Sequence, residues 1–235
     1  MLANIIAAGE GTRFVAEGEQ TPKPMLKIGD KCMLGRLFDV LSNSGFKRFN
    51  IIINEESEVV FGYINSIRKV NKLDISIVRK STPSSMHSLY ELLQVVNEHP
   101  FHLFTVDTIF PFSEFQKYLK FCKENSQYDA IMAITSYIDD EKPLYVCIED
   151  DKITGLHDKP NNAKNITSGF YCFNSNILPV IKKQIENGQK KLRNFLRQLL
   201  VEEYHVGYFE FAKTIDVDHI SDIEKARLLI QDENL

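Results

Sequence analysis

The sequence predicts an α/β fold in three layers, α/β/α, built around a mixed, mostly parallel sheet. Three observations lead there. An apolar run opens the chain and ends in a glycine-rich loop, short apolar runs alternate with stretches of helical period through about residue 125, and hairpin-like patterning follows. The first run, residues 2–8, is apolar nearly throughout, as a parallel strand covered on both faces requires. Further short runs at 49–53, 75–78, 103–106 and 130–135 are rich in β-branched or aromatic residues that suit a pleated sheet.

Between these runs, Met33, Leu34, Leu37, Phe38, Val40 and Leu41 lie mostly three or four apart, with Gly45 placed to stop the helix. A second helix is expected over 86–96, with Ser85 as its N-cap and Leu89, Leu92, Leu93 and Val96 on one stripe. Residues 144–149 and 152–156, joined at Asp150-Asp151, read as an antiparallel hairpin, and 169–173 as a further strand. Helices at 177–186, 192–203 and 221–230, and a strand pair between 205 and 215, complete the expected order.

The 235 residues show no internal repeat and no Pro/Gly/Ser-rich linker, so one domain over 1–235 is expected. Lys and Arg number 28 against 32 Asp and Glu, a formal charge of -4, which argues against a surface built for nucleic-acid backbones. No apolar stretch reaches the roughly 18 residues of a membrane span, and no positive segment precedes the first apolar run; no membrane partner and a cytoplasmic location are expected. The cysteines at 32, 122, 147 and 172 match no zinc or redox-dithiol spacing and read as small core residues. The six histidines show no His-x-x-x-His grouping, and no Gly-x-Ser-x-Gly elbow supports a serine hydrolase.

The most informative segment is Ala7-Ala8-Gly9-Glu10-Gly11-Thr12-Arg13-Phe14, followed by Thr21-Pro22-Lys23-Pro24-Met25-Leu26-Lys27-Ile28. Glycines at 9 and 11 remove Cβ atoms where the chain turns, so that main-chain N–H groups can approach a phosphate or a base edge. Arg13 offers a planar fork for phosphate oxygens, and Lys23 a compact ammonium. From the glycine pair alone, an ordinary turn with two surface cations reads equally well. A dinucleotide fingerprint does not fit, because its third glycine is replaced by Phe14, and the Gly-x-x-x-x-Gly-Lys-Ser/Thr loop is absent.

These two runs resemble the N-terminal signature of the sugar-phosphate nucleotidyltransferases, the nucleoside-triphosphate transferases that make sugar nucleotides. The resemblance implies a Rossmann-like, GT-A-like nucleotidyltransferase fold, with a nucleotide-binding half at 1–125 and an acceptor-binding half at 126–235. It implies that Ala8, Gly9, Gly11 and Thr12 bind the nucleotide and that Arg13 and Lys23 act on the reacting phosphates. Thr82-Pro83-Ser84-Ser85-Met86 occupies the position where the family lines its base and ribose pocket, which brings in Ser84 and Ser85, though serines at a helix start are also ordinary caps. Ser88-Leu89-Tyr90 is similar to the bacterial choline-phosphate cytidylyltransferase branch.

Nucleotidyl transfer needs developing charge neutralised, usually by Mg²⁺ held on one or two carboxylates and the substrate phosphates. Asp107 follows the apolar run 103–106, where α/β sheets meet their ligands, although a strand-ending Asp is more often a turn former. The family's metal-binding aspartate ends such a strand with an aromatic shortly after, and Phe110 fits; Val106 stands where the family commonly has glycine. A second carboxylate is implied by Asp216-Val217-Asp218-His219-Ile220-Ser221-Asp222, which aligns Asp216 with the metal ligand. Asp218, two residues on and so on the same face of a strand, is the competitor, and Asp222 reads as a helix cap. His157-Asp158-Lys159-Pro160 and Gly169-Phe170-Tyr171 resemble the family's acceptor region, implying that Lys159 and Gly169 bind the acceptor.

The function so implied is transfer of a nucleoside monophosphate unit from a nucleoside triphosphate to a sugar 1-phosphate or similar phosphorylated acceptor, with Mg²⁺ as cofactor and pyrophosphate released. Two alternatives stay open: a non-catalytic nucleotide-binding subunit, and a glycosyltransferase using a sugar nucleotide on the same architecture. No motif marks the base, the acceptor or the oligomeric state.

Overall fold

A computed structural model of the chain describes residues 1–96 and 99–231. The elements run β1 (Leu2–Ala7), α1 (Thr12–Ala16), a 3₁₀ turn (Lys23–Met25), β2 (Lys27–Ile28), β3 (Lys31–Cys32), α2 (Met33–Asn43), β4 (Arg48–Ile53), α3 (Glu58–Asn71), β5 (Asp74–Arg79), α4 (Ser85–Leu93) and β6 (Phe101–Thr105). Then follow β7 (Thr108–Ile109), α5 (Phe112–Glu124), β8 (Ala130–Thr135), β9 (Tyr145–Glu149), β10 (Lys152–His157), β11 (Asn165–Phe173), α6 (Leu178–Glu186), α7 (Leu192–Val201), β12 (Val206–Phe211), β13 (Ile215–Asp216) and α8 (Ile220–Gln231).

Nine strands form one sheet in which β1 lies between β4 and β6, and β11 carries β6, β8 and β9 as neighbours. Only β10 and β11 run against the other seven strands. The sheet is therefore mixed and mostly parallel. Alternation along β1 sends Ala3, Ile5 and Ala7 to one face, under α2, α3 and α5, and Leu2 and Ile6 to the other, under α4, α6 and α7. That division makes the three layers. A third, smaller core joins Phe14, Ile28, Ile109, Ile215 and Leu229, seating α8 beside the loop that follows β1.

Strand order reverses at β1: the chain proceeds from β1 outward to β4 and β5, then returns to place β6 on the other side. The crevice outside the carboxyl ends of β1 and β6 is thus the switch point where α/β sheets receive ligands. The sequence reading omits α3 and α5. Only Val60 and Ile64 of α3 are fully buried, a thin stripe, and the buried face of α5 is carried by Phe115, Tyr118 and Cys122.

Two local expectations are corrected. Ser84, in an extended conformation, is the N-cap of α4, and Ser85 is its first helical residue; the helix ends at Leu93. The strands between 205 and 215 do not pair with each other. β12 lies parallel to β8, whereas β13 pairs antiparallel with β7 in a separate ribbon. The chain turns off the main sheet at 212–214, where Ala212 N donates to Glu114 Oε2 and Thr214 Oγ1 donates to Ser168 Oγ. Asp150 and Asp151 take left-handed conformations, φ 48° and 58°, as a tight hairpin turn demands. No helix among the described residues is long and apolar enough to cross a membrane.

Candidate active site

The loop after β1 turns through Gly11, whose φ of 61° and position against Lys23, where an added Cβ would stand 3.2 Å from the lysine Cβ, both favour glycine. Gly9 has open space around its Cα. Gly11 caps the short helix α1, whose second residue is Arg13. Lys23 begins the 3₁₀ turn and is 9% exposed. Its ammonium lies 2.6 Å from Asp107 Oδ2 and 2.7 Å from Asp218 Oδ1, while the other oxygen of Asp218 accepts from the Arg13 guanidinium. Four charged groups from α1, the 3₁₀ turn, the β6–β7 turn and the segment after β13 therefore meet at one point.

The β7·β13 ribbon holds the remaining carboxylate. Asp216 pairs in register with Thr108, whose hydroxyl donates to Asp216 Oδ1 at 2.7 Å, and Val217 N donates to the Asp107 carbonyl at 3.0 Å. Behind them, Thr105 Oγ1 donates to the Gly169 carbonyl at 3.2 Å and lies 3.0 Å from the Thr108 hydroxyl. Gly169 has φ 71° at a bulge in β11, and an added Cβ would fall 2.5 Å from Thr108 Oγ1 and 2.7 Å from Thr105 Oγ1. The residue is glycine because the hydroxyls that brace Asp216 occupy that space.

Charge sets the protonation states. Burial alone would lower the Lys23 pKa, but the charges of Asp107 and then Asp218 outweigh it and hold the ammonium protonated. Burial alone would raise Asp218, but Lys23 and then Arg13 keep it below the ordinary carboxylate range. Asp216 has no such cation at contact distance. Burial, and next the charge of Asp107, push it up to about 7 against the pull of the Thr108 hydroxyl.

These surroundings fit a divalent cation between Asp107 and Asp216. Both oxygens of Asp218 are engaged by cations. Asp107 and Asp216 each keep one oxygen without a hydrogen bond among the described residues. They repel one another, which a hard cation would relieve. The competitor, Asp218, instead ties the two basic side chains together.

A cleft of about 320 Å³ opens over this cluster, walled by Gly9, Gly11, Thr12, Arg13, Lys23, Ser85, Asp107 and Asp218. Asp216 faces a neighbouring small pocket with Tyr137, Asp139, Asp140, Thr167 and Ser168. The other expected residues stand apart. Ala8 is buried in the core, Ser84 Oγ lies 2.9 Å from His87 Nδ1, and exposed Lys159 lines neither cavity. Beside it, Asp158 pairs with Arg193 and Arg197. Asp222 reaches back to the backbone N–H groups of Asp218 and His219, a capping role that fixes the approach of Asp218 to the cleft. Thr105 and Thr108 have no counterpart in the sequence reading; hydroxyls flanking a strand-ending Asp are the signal that points to them.

The family model described as nucleotidyl transferase matches residues 2–233. Among curated proteins, the bifunctional IPC transferase and DIPP synthase of Aquifex aeolicus is 24% identical over 230 residues, covering 96% of this chain and 50% of that protein. The mannose-1-phosphate guanyltransferase of Saccharomyces cerevisiae is 23% identical over 217 residues, covering 88% and 58%. The chain thus spans about half the length of these relatives. The solved structure of the inositol-1-phosphate CTP transferase from T. maritima superposes with a TM-score of 0.83 over 98% of this chain and 96% of that one, at 16% identity, which is likeness of fold.

Proposed function

This chain belongs to the nucleotidyl transferase family, and on that premise we propose that it transfers a nucleoside monophosphate unit from a nucleoside triphosphate to a phosphorylated small-molecule acceptor. The observation that carries this reading is the meeting of Arg13, Lys23, Asp107 and Asp218 under the glycine loop, at the switch point of the sheet.

The triphosphate lies against Gly9, Gly11 and Thr12, whose main-chain N–H groups can serve phosphate oxygens, with Ser85 toward the nucleoside. Arg13 and Lys23 leave Asp218 and Asp107 in part to engage phosphate oxygens, Arg13 on the pyrophosphate and Lys23 on the transferred phosphate. An oxygen of the acceptor phosphate attacks the α-phosphorus in line. As that P–O bond forms, the bond to the β-phosphate bridging oxygen breaks and pyrophosphate departs. No covalent enzyme intermediate is needed, since the protein aligns two anions and offsets their repulsion. Asp107 and Asp216 would hold Mg²⁺, which supplies charge neutralisation at the phosphates. Gly169 and the pocket beside Asp216 face the acceptor; Lys159, which lines neither cavity, has no part in this reading.

The test is a pyrophosphate-release screen of the four common triphosphates against sugar phosphates and phosphocholine, with and without Mg²⁺, alongside calorimetric titration of each triphosphate. Pyrophosphate release dependent on both substrates supports the proposal. Triphosphate binding with no release against every acceptor would favour a binding subunit, and release of a nucleoside diphosphate from a sugar nucleotide would favour a glycosyltransferase.

A further inference from the structure

At the opposite end of β6 from Asp107, three metal-ligating side chains meet in the core. His102 of β6 pairs in register with Cys172 of β11, and Cys122 reaches them from α5, the helix that covers this face. One ring nitrogen and the two sulfurs all lie within 4.8 Å of one another. His102 is 4%, Cys122 5% and Cys172 1% exposed. The strand register places the His102 and Cys172 side chains side by side, roughly 4.5–5.5 Å apart at Cβ, independent of any rotamer choice. Spacings of 20 and 50 residues hide the group from any local motif.

The surroundings are largely aromatic and leave a polar atom unpartnered among the described residues. Among the described residues His102 Nδ1 has no hydrogen-bond partner, and the Tyr118 ring, whose hydroxyl meets Cys122, has its centroid 6.0 Å from that of His102. Phe46 packs edge-on against the imidazole with centroids 5.2 Å apart. A phenylalanine at 102 would fill such a box without leaving a polar atom unmatched, whereas a buried unpaired group keeps its desolvation cost uncompensated. Cys172 Sγ is 3.9 Å from Asn174 Oδ1, so an oxygen is also at hand.

We propose that His102, Cys122 and Cys172 form a structural site for a borderline-soft d¹⁰ cation, zinc(II), with the Tyr118 hydroxyl or Asn174 Oδ1 supplying the fourth donor. Two sulfurs and an imidazole are a zinc-type donor set, unlike the all-oxygen pair Asp107 and Asp216. Each thiol gives its proton to solvent as its Zn–S bond forms, and two thiolates with one divalent cation sum to zero, so the core gains no net charge. Because the site is enclosed, loading belongs to folding or to local opening. The inference does not rest on the proposed activity.

The 235-residue chain, kept reduced, is refolded with Zn²⁺ or Co²⁺ alone and freed of excess metal. One equivalent per chain is expected, with a thiolate-to-cobalt charge-transfer band and visible bands of tetrahedral intensity. Cys122→Ser and Cys172→Ser should each lower affinity at least about tenfold; Cys147→Ser and the pair Asp107→Asn with Asp216→Asn should not. X-ray absorption at the zinc edge of the unmodified protein gives a readout that no variant's folding can confound, with two sulfurs at about 2.3 Å expected. Absence of the cobalt band, equal metal uptake by the serine variants, or an absorption shell without sulfur overturns the proposal.

Discussion

Lys23 Nζ lies 2.6 Å from Asp107 Oδ2, an ion pair between residues 84 apart in the chain that joins the 3₁₀ turn to the end of β6. With Asp218 on its other side, the ammonium is the internal counter-charge of the cleft. Lys23→Met should lower turnover by about 10²–10³-fold through loss of transition-state charge stabilisation. It should also destabilise the fold by about 3–5 kcal/mol, because the carboxylates lose their partner. Pyrophosphate release and urea unfolding measure the two effects; turnover within tenfold of the unaltered chain contradicts the role assigned to Lys23.

Asp216 gives a pH dependence with a definite sign. Its folded pKa, about 7, stands above its ordinary value of 3.8, so the native state binds the proton more tightly. That contribution is complete below the ordinary value and is lost as pH rises toward 7, at up to about 1.4 kcal/mol per pH unit. Asp216→Asn keeps an acceptor for Thr108 and removes the repulsion with Asp107. In chelator, the variant should be more stable than the unaltered chain above pH 7 by a few kcal/mol at most, converge with it near pH 4, and be inactive. Thermal melts across that range test this; parallel curves would remove Asp216 from the buried repulsive pair.

Gly169→Ala should damage both fold and chemistry. The φ of 71° strains any side chain, and the new methyl would collide with the hydroxyls of Thr105 and Thr108. A loss of about 1–3 kcal/mol is expected, with turnover reduced because Thr108 no longer braces Asp216. Thr108→Val separates the causes: it removes the hydroxyl without backbone strain and should lower turnover with a smaller effect on the melting temperature.

Arg13→Lys preserves the charge next to Asp218 and abolishes the planar fork. Triphosphate affinity should weaken by roughly tenfold to a hundredfold, the worth of one charge-assisted hydrogen bond, with the fold unchanged. Calorimetric titration with the triphosphate in Mg²⁺ reads this directly, and an unaltered Kd would place the phosphates elsewhere.

The triphosphate end is legible in the sequence because its signals are local: a glycine pair after a buried strand, two nearby cations, and an aspartate closing the next apolar run. Asp216 and Asp218 are not separable in that way. Both lie in one three-residue stretch, and only pairing with β7 assigns one to the Thr108 hydroxyl and the other to Arg13 and Lys23. Thr105 and Thr108 read as ordinary strand residues until β11 brings Gly169 against them. The layers are legible from alternation, yet α3 escapes because so little of it is covered, and the expected strand pair at 205–215 misses that β13 leaves β12 to pair with β7. Long-range pairing is what sequence period does not encode.

The β7·β13 ribbon has two residues in each strand. With so short a ladder there is no slack to absorb an inserted or deleted residue: a slip of one position would turn the Asp216 carboxylate through the sheet plane and leave Val217 facing Thr108. Changes of chain length tolerated in this protein should therefore map to surface connections such as 187–191, and to neither arm of the ribbon.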